Sequence, residues 1–193
     1  MRSRLQFWLL LGCLAGPAAL AATKPGRTAH IDDTTQLLPQ IPGDLETLEA
    51  KLADFEKRTG IKILVQFHDR SPTADEDKVP GAYMRTLASR EGTLQHGVLV
   101  VYFAEDSDWR IWIGDELIPR FTGKPGTAKQ QTADGAIHDM KEALLNVARE
   151  KSEAATADLQ KSLPGDEVPS TSDKIRLQFG AMLELLFAKF GAK

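Results

Sequence analysis

The chain has 193 residues, 42% of them hydrophobic and 26% charged, the balance of a folded domain rather than of a disordered chain. Its 24 basic residues against 27 acidic ones, a net charge of -3, argue against the basic stripe on which electrostatic binding of nucleic acid depends. One cysteine, Cys13, excludes an internal disulfide framework and a cysteine-based zinc site.

The chain opens on targeting chemistry. Arg2 and Arg4 precede an apolar run from Leu5 to Leu14, Pro17 breaks that run, and Ala19-Leu20-Ala21 supplies the small-x-small pattern of a signal-peptidase site. Residues 1–21 are therefore expected to be a signal peptide, and the protein to be exported, periplasmic or secreted. The run is shorter than the roughly 20 residues that span a bilayer. Leu10-Leu11-Gly12-Cys13 offers the alternative of a lipoprotein anchored at Cys13. Cleavage after Ala21 removes two arginines, no acid and the only cysteine, leaving a more acidic chain without thiols.

Residues 22–30 form a polar lead-in. Over 44–60, Leu45, Leu48, Leu52 and Phe55 recur at three- and four-residue spacing, which predicts an amphipathic helix with Asp44 at its cap and Gly60 at its end. Ile61, Ile63, Val65 and Phe67 then alternate with Lys62 and Gln66, a strand. A charged loop over 68–78 leads to a short helix over 80–90 carrying Tyr83, Met84 and Leu87. The unbroken run Val98-Leu99-Val100-Val101-Tyr102-Phe103 reads as a central strand covered on both faces. A turn over 105–108 makes the next strand, 109–113, antiparallel, with Trp109, Ile111 and Ile113 on one face and Arg110 and Trp112 on the other. Residues 119–128 read as loop. A long helix from about 133 carries Ile137, Met140, Leu144 and Val147, and fades toward 163. Residues 164–172 read as a linker to a C-terminal amphipathic helix, 173–193. Its face of Ile175, Phe179, Met182, Leu183, Leu186 and Phe190 is read as docked on its own domain or on a second subunit, with peripheral membrane contact through 175–190 as the rival.

No strong catalytic motif is present: there is no Walker loop, no G-x-G-x-x-G, no H-E-x-x-H and no G-x-S-x-G. What remains is a set of loop carboxylates and histidines. His30, Asp32 and Asp33 precede the first long helix. His68, Asp69, Asp106 and Asp108 lie where the C-terminal ends of parallel strands place ligands, and are expected to share one rim. His96, Asp115 and Glu116 lie at the opposite strand ends. Converging loop carboxylates have the hard oxygen donors that Ca²⁺ or Mg²⁺ prefers.

The order of these features from Ile31 to about Leu117 resembles the TPM domain family. The resemblance is carried by Asp33-Thr34-Thr35-Gln36-Leu37-Leu38, by Thr59-Gly60 leading into the strand Ile61-Lys62-Ile63-Leu64-Val65, by Tyr83, by His96-Gly97-Val98-Leu99, and by Arg110-Ile111-Trp112-Ile113-Gly114. It implies a three-layer α/β/α sandwich with a small mixed, twisted sheet over 31–163, in an exported or lumenal protein. Some family members are described as acid phosphatases, and some bind divalent cations in an acidic crevice. This chain departs from the pattern at Gln36, where the family has Gly, at Gln95-His96, where it has an acidic residue and Asn, and at Gly114-Asp115-Glu116-Leu117, where its closure is Gly-x-Gly-Leu-Glu. The expected function is that of a binding or accessory protein of the cell envelope with a protein partner. The alternative is a phosphatase in which Asp33 with Asp115 or Glu116 holds Ca²⁺ or Mg²⁺ and polarises the phosphoryl oxygens.

Overall fold

The computed structural model describes residues 26–191, so the expected signal peptide and Cys13 lie outside the described residues. In chain order the elements are β1 (Ile31–Asp32), α1 (Asp44–Thr59), β2 (Lys62–His68), α2 (Ala82–Arg90), β3 (Gly97–Phe103) and β4 (Asp108–Ile113). A single 3-10 turn (Asp115–Leu117) and the helices α3 (Ile118–Thr122), α4 (Ala128–Ala133), α5 (Ala136–Ser162) and α6 (Thr171–Gly191) complete the chain.

The four strands form one open sheet in the order β1-β2-β3-β4. The first three are parallel, with Ile63 beside Val98 and His68 beside Phe103; β4 returns antiparallel, with Val98 beside Ile113 and Phe103 beside Asp108. Every residue of β3 is buried, as its unbroken β-prone run requires of a strand paired on both sides and clad on both faces. Side-chain alternation sorts β2 into two sets. Ile63, Val65 and Phe67 face the larger core with Val100, Trp109 and Ile111, while Leu64 faces a smaller one with Leu99, Val101 and Phe103. The first face is covered by α1 through Leu52 and Phe55 and by α6. The second is covered by α2 alone, through Met84, Leu87 and Ala88. This is the expected three-layer sandwich, with one layer a single nine-residue helix.

The C-terminal helix is part of the domain. Phe179, Met182, Leu186 and Phe190 of α6 are fully buried; Phe179 meets Phe67 edge-on at 5.8 Å, and Phe187 stacks on Phe55 at 4.6 Å. The segment between α5 and α6 is thus a turn between two packed helices rather than a boundary, and the apolar face that a membrane contact through 175–190 would use is turned into the core. Among the described residues no helix is long and apolar enough to cross a membrane.

Other departures have local causes. Asp44 does not cap α1: Gly43, at φ 84°, occupies the cap, and the Asp44 carboxylate instead faces Arg176 of α6 at 4.0 Å. Residues 118–122, partly read as loop, are α3, because Pro119 sits in the first turn, where its missing N–H costs nothing, and Gly123 ends the helix in a left-handed turn. A capping box between Thr127 and Gln130 starts α4, and Gly135 separates it from α5. On α5 Val147 faces outward, 40% exposed, and the small side chains of Ala148 and Ser152 take the inward positions.

Candidate binding groove

Because α2 is short and lies over β3 and β4, the described residues leave the β1–β2 half of the second sheet face open. The residues alternating with the core set there are Asp32, Gln66 and His68, and they form the floor of a groove of about 880 Å³. Arg27, Thr34 and Thr35 stand on one side; Asp69, Arg70, Tyr83, Arg90 and Glu91 complete the walls. The Tyr83 ring is held edge-on to Phe103 at 5.9 Å, and its backbone N–H donates to Asp77.

Gln66 is 6% exposed, deep for an amide. Its Oε1 lies 3.1 Å from His68 Nε2, and among the described residues its Nε2 has no hydrogen-bond partner. His68 packs edge-on to Phe103 at 5.4 Å. Burial holds its ring below the ordinary histidine range; Asp32 opposes that effect, and Arg90 and Arg70 add to it. The ring is therefore neutral at pH 7, with Nε2–H donating to Gln66 and Nδ1 an acceptor.

The arginines around the groove are paired. Arg27 meets Asp32 at 3.4 Å, Arg90 meets Glu91 at 3.1 Å, and Arg70 grips Glu76 with both guanidinium nitrogens at 2.8 and 2.9 Å. The edge strand itself is fastened through His30, which is 5% exposed. Its Nδ1 lies 2.6 Å from Glu49 and its Nε2 2.7 Å from Glu56, both on α1. Glu49 also accepts from Thr28 Oγ1 at 2.6 Å. Burial opposes the Glu49 charge, but the hydrogen bonds from Thr28 and His30 outweigh it and hold the carboxyl below the usual glutamate range.

The three carboxylates expected to share a cation do not converge. Asp33 follows β1 at the C-terminal end of the parallel strands. It is 2% exposed, and its carboxylate accepts from Leu37 N at 2.8 Å, Leu38 N at 3.1 Å and Thr35 Oγ1 at 3.3 Å. Burial raises its pKa despite these donors, which lower it. Its work is to close the loop over 33–38. That loop also needs Gly26, whose φ is +79° and whose carbonyl accepts from Asp33 N; a Cβ there would fall on the Asp33 carbonyl oxygen. Asp115 and Glu116 lie at the other end of the sheet, their backbone N–H groups donating to the carbonyls of Leu94 and Gln95, with Glu116 3.4 Å from His96. Antiparallel β4 puts them there. A shared cation does not fit this donor set: the oxygens of Asp33 are already engaged, and the sheet separates them from the other two. Among the described residues no group of three or more His, Cys, Asp or Glu side chains is arranged to hold a metal.

Of the expected rim, His68 and Asp69 line the groove. Asp106 and Asp108 do not; Asp108 pairs with Arg110, 3.0 Å away. Arg27, Gln66 and Arg90 were not legible as site residues. The available signal was Gln66, a polar residue between Val65 and Phe67 on an otherwise apolar strand.

Fold and groove together define an α/β sandwich domain with one half-clad sheet face. The family model of the TPM domain matches residues 31–149, well over half of the chain. The chain belongs to the TPM domain family. No curated protein and no solved structure matches it.

Proposed function

We propose that the protein is an exported TPM-family accessory protein of the cell envelope that works by binding a partner protein in the groove over β1 and β2. The observation that carries this reading is the groove floor. Gln66 and His68 present hydrogen-bonding groups into an open cavity, while the carboxylate of Asp33 is spent on backbone amides. Export is supported by the Arg2/Arg4 start, the apolar run and the Ala19-Leu20-Ala21 site. Intact mass of the mature protein tests it: a chain starting at Ala22 is expected, and a diacylglyceryl-modified chain starting at Cys13 would replace it with the anchored form.

A photo-crosslinking residue placed at Thr34 on the groove wall, and in a second sample at Gln95 at the far end of the sheet, tests the binding site in the native envelope. Capture of one partner from position 34 and none from position 95 is expected. Equal capture from both positions would refute the assignment. Hydrolysis of a phosphate ester, measured with and without Ca²⁺ or Mg²⁺, tests the alternative. Metal-dependent turnover that disappears in Asp33→Asn, with a cooperative melt retained in that variant, would make the phosphatase reading correct.

A further inference from the structure

We propose that the groove takes an extended segment of polypeptide and seats the C=O and N–H of one residue of that segment on Gln66 and His68. The proposal rests on the groove being the working surface of the protein, and adds the chemistry of what it holds.

The floor carries a matched donor and acceptor. With Oε1 of Gln66 engaged by His68 Nε2, both hydrogens of Gln66 Nε2 remain for a ligand. Gln66 is more than nine-tenths buried and lines the cavity, and Nε2 is not among the fully buried atoms left without partners, so it opens onto the groove. A desolvated amide with free donors calls for an acceptor. The neutral His68 ring, with Nε2–H directed at Gln66, leaves Nδ1 as a lone pair that calls for a donor. One residue of an extended chain supplies both on the same edge: its C=O accepts from Gln66 and its N–H donates to His68.

Two further observations fit a peptide. Gln66 and His68 are two residues apart on one strand face, about 6.6 Å, which is also the repeat of residues on one side of an extended chain. The neighbouring arginines are each paired, as Arg27–Asp32, Arg70–Glu76 and Arg90–Glu91, while the Asp69 carboxylate on the wall has no ion pair among the described residues. A neutral backbone leaves all three pairs intact. The Tyr83 ring on the wall offers an apolar surface for a ligand side chain.

The test pans a random dodecapeptide library against the full chain and measures the affinity of the selected peptides. Two perturbations follow: Gln66→Met, which keeps the volume and removes both donors, and ester substitution of single amides along the best peptide. At least about a tenfold loss with Gln66→Met is expected, with a cooperative melt retained, and a comparable loss from one ester position on the unmutated protein. If Gln66→Met fails to fold, the ester series alone decides. Ester substitutions that change nothing, or peptides that bind Gln66→Met as well as the unmutated protein, would overturn the proposal. If no peptide is enriched while position 34 still cross-links an envelope glycan or phosphate ester, the peptide inference fails and the groove stands. Failure of both enrichment and cross-linking overturns the groove reading as well.

Discussion

Phe179→Ala measures how far α6 belongs to the fold. The ring is fully buried, meets Phe67 at 5.8 Å and stacks on Trp109 at 6.3 Å with an interplanar angle of 15°. Removing a buried Phe side chain costs about 3–5 kcal/mol, transfer and cavity included. Two lost aromatic contacts place this site toward the upper end of that range. Against a total stability of roughly 5–15 kcal/mol that is a large fraction. For a chain of this size it corresponds to a fall in melting temperature of about 6–20 °C. Urea denaturation followed by both far-ultraviolet circular dichroism and tryptophan fluorescence reads it, since Trp109 lies against the deleted ring. Glu184→Ala on the outer face of the same helix, where Glu184 is 3.9 Å from Lys151, serves as the control and should change stability by less than about 1 kcal/mol. A loss below about 1 kcal/mol for Phe179→Ala would mean that α6 does not complete the core in solution.

Asp33→Asn should lower stability by about 1–3 kcal/mol, because one charged acceptor of the loop amides is lost, and a urea midpoint unchanged from that of the unmutated protein would refute the loop-closing role. The depressed Glu49 carboxyl contributes stability that is fully present above the ordinary glutamate value of 4.5 and is lost as pH falls through its lower folded value. Glu49→Gln should therefore flatten the acid limb of the stability profile, and an identical pH dependence in the two proteins would contradict the assignment. Lys141 on α5, whose Nζ lies 5.7 Å from the Trp112 ring centroid, is pushed down to about 8 by burial. In limited acylation near pH 7.5 it should react ahead of the exposed lysines, and peptide mapping that finds uniform labelling would refute the lowered pKa.

The elements that sequence reveals best are those whose signal is local. The run from Val98 to Phe103 can only be a doubly clad strand, and Gly60 ends α1 because a residue at φ +72° closes that helix. Prolines and glycines between 119 and 126 look the same whether they break a helix or bound one, so α3 was hidden in its own caps. The site was less legible for a tertiary reason. Gln66 is a groove residue only because α2 stops short of β1, and no pattern on β2 records the length of a helix packed above it. Asp33 is the converse: its place in a recognisable motif makes it look like a ligand, while its surroundings make it an acceptor for its own loop. The direction of β4 already implied that Asp115 and Glu116 leave the sheet at the end away from Asp33.

Strand order in the sheet equals chain order, so each strand pairs with the one made just before it. Only β3 and β4 are joined by a short turn; the parallel pairs, such as Ile31 with Val65 and Lys62 with Gly97, each span a helix and form more slowly. The cover of the first sheet face comes from the other end of the chain, since Phe67 and Trp109 wait for Phe179. During synthesis the sheet can assemble while that face is still bare, and the hydrophobic core cannot close until α6 has left the ribosome. Late closure leaves an apolar sheet surface exposed, and prone to stick to other chains, until the last helix arrives.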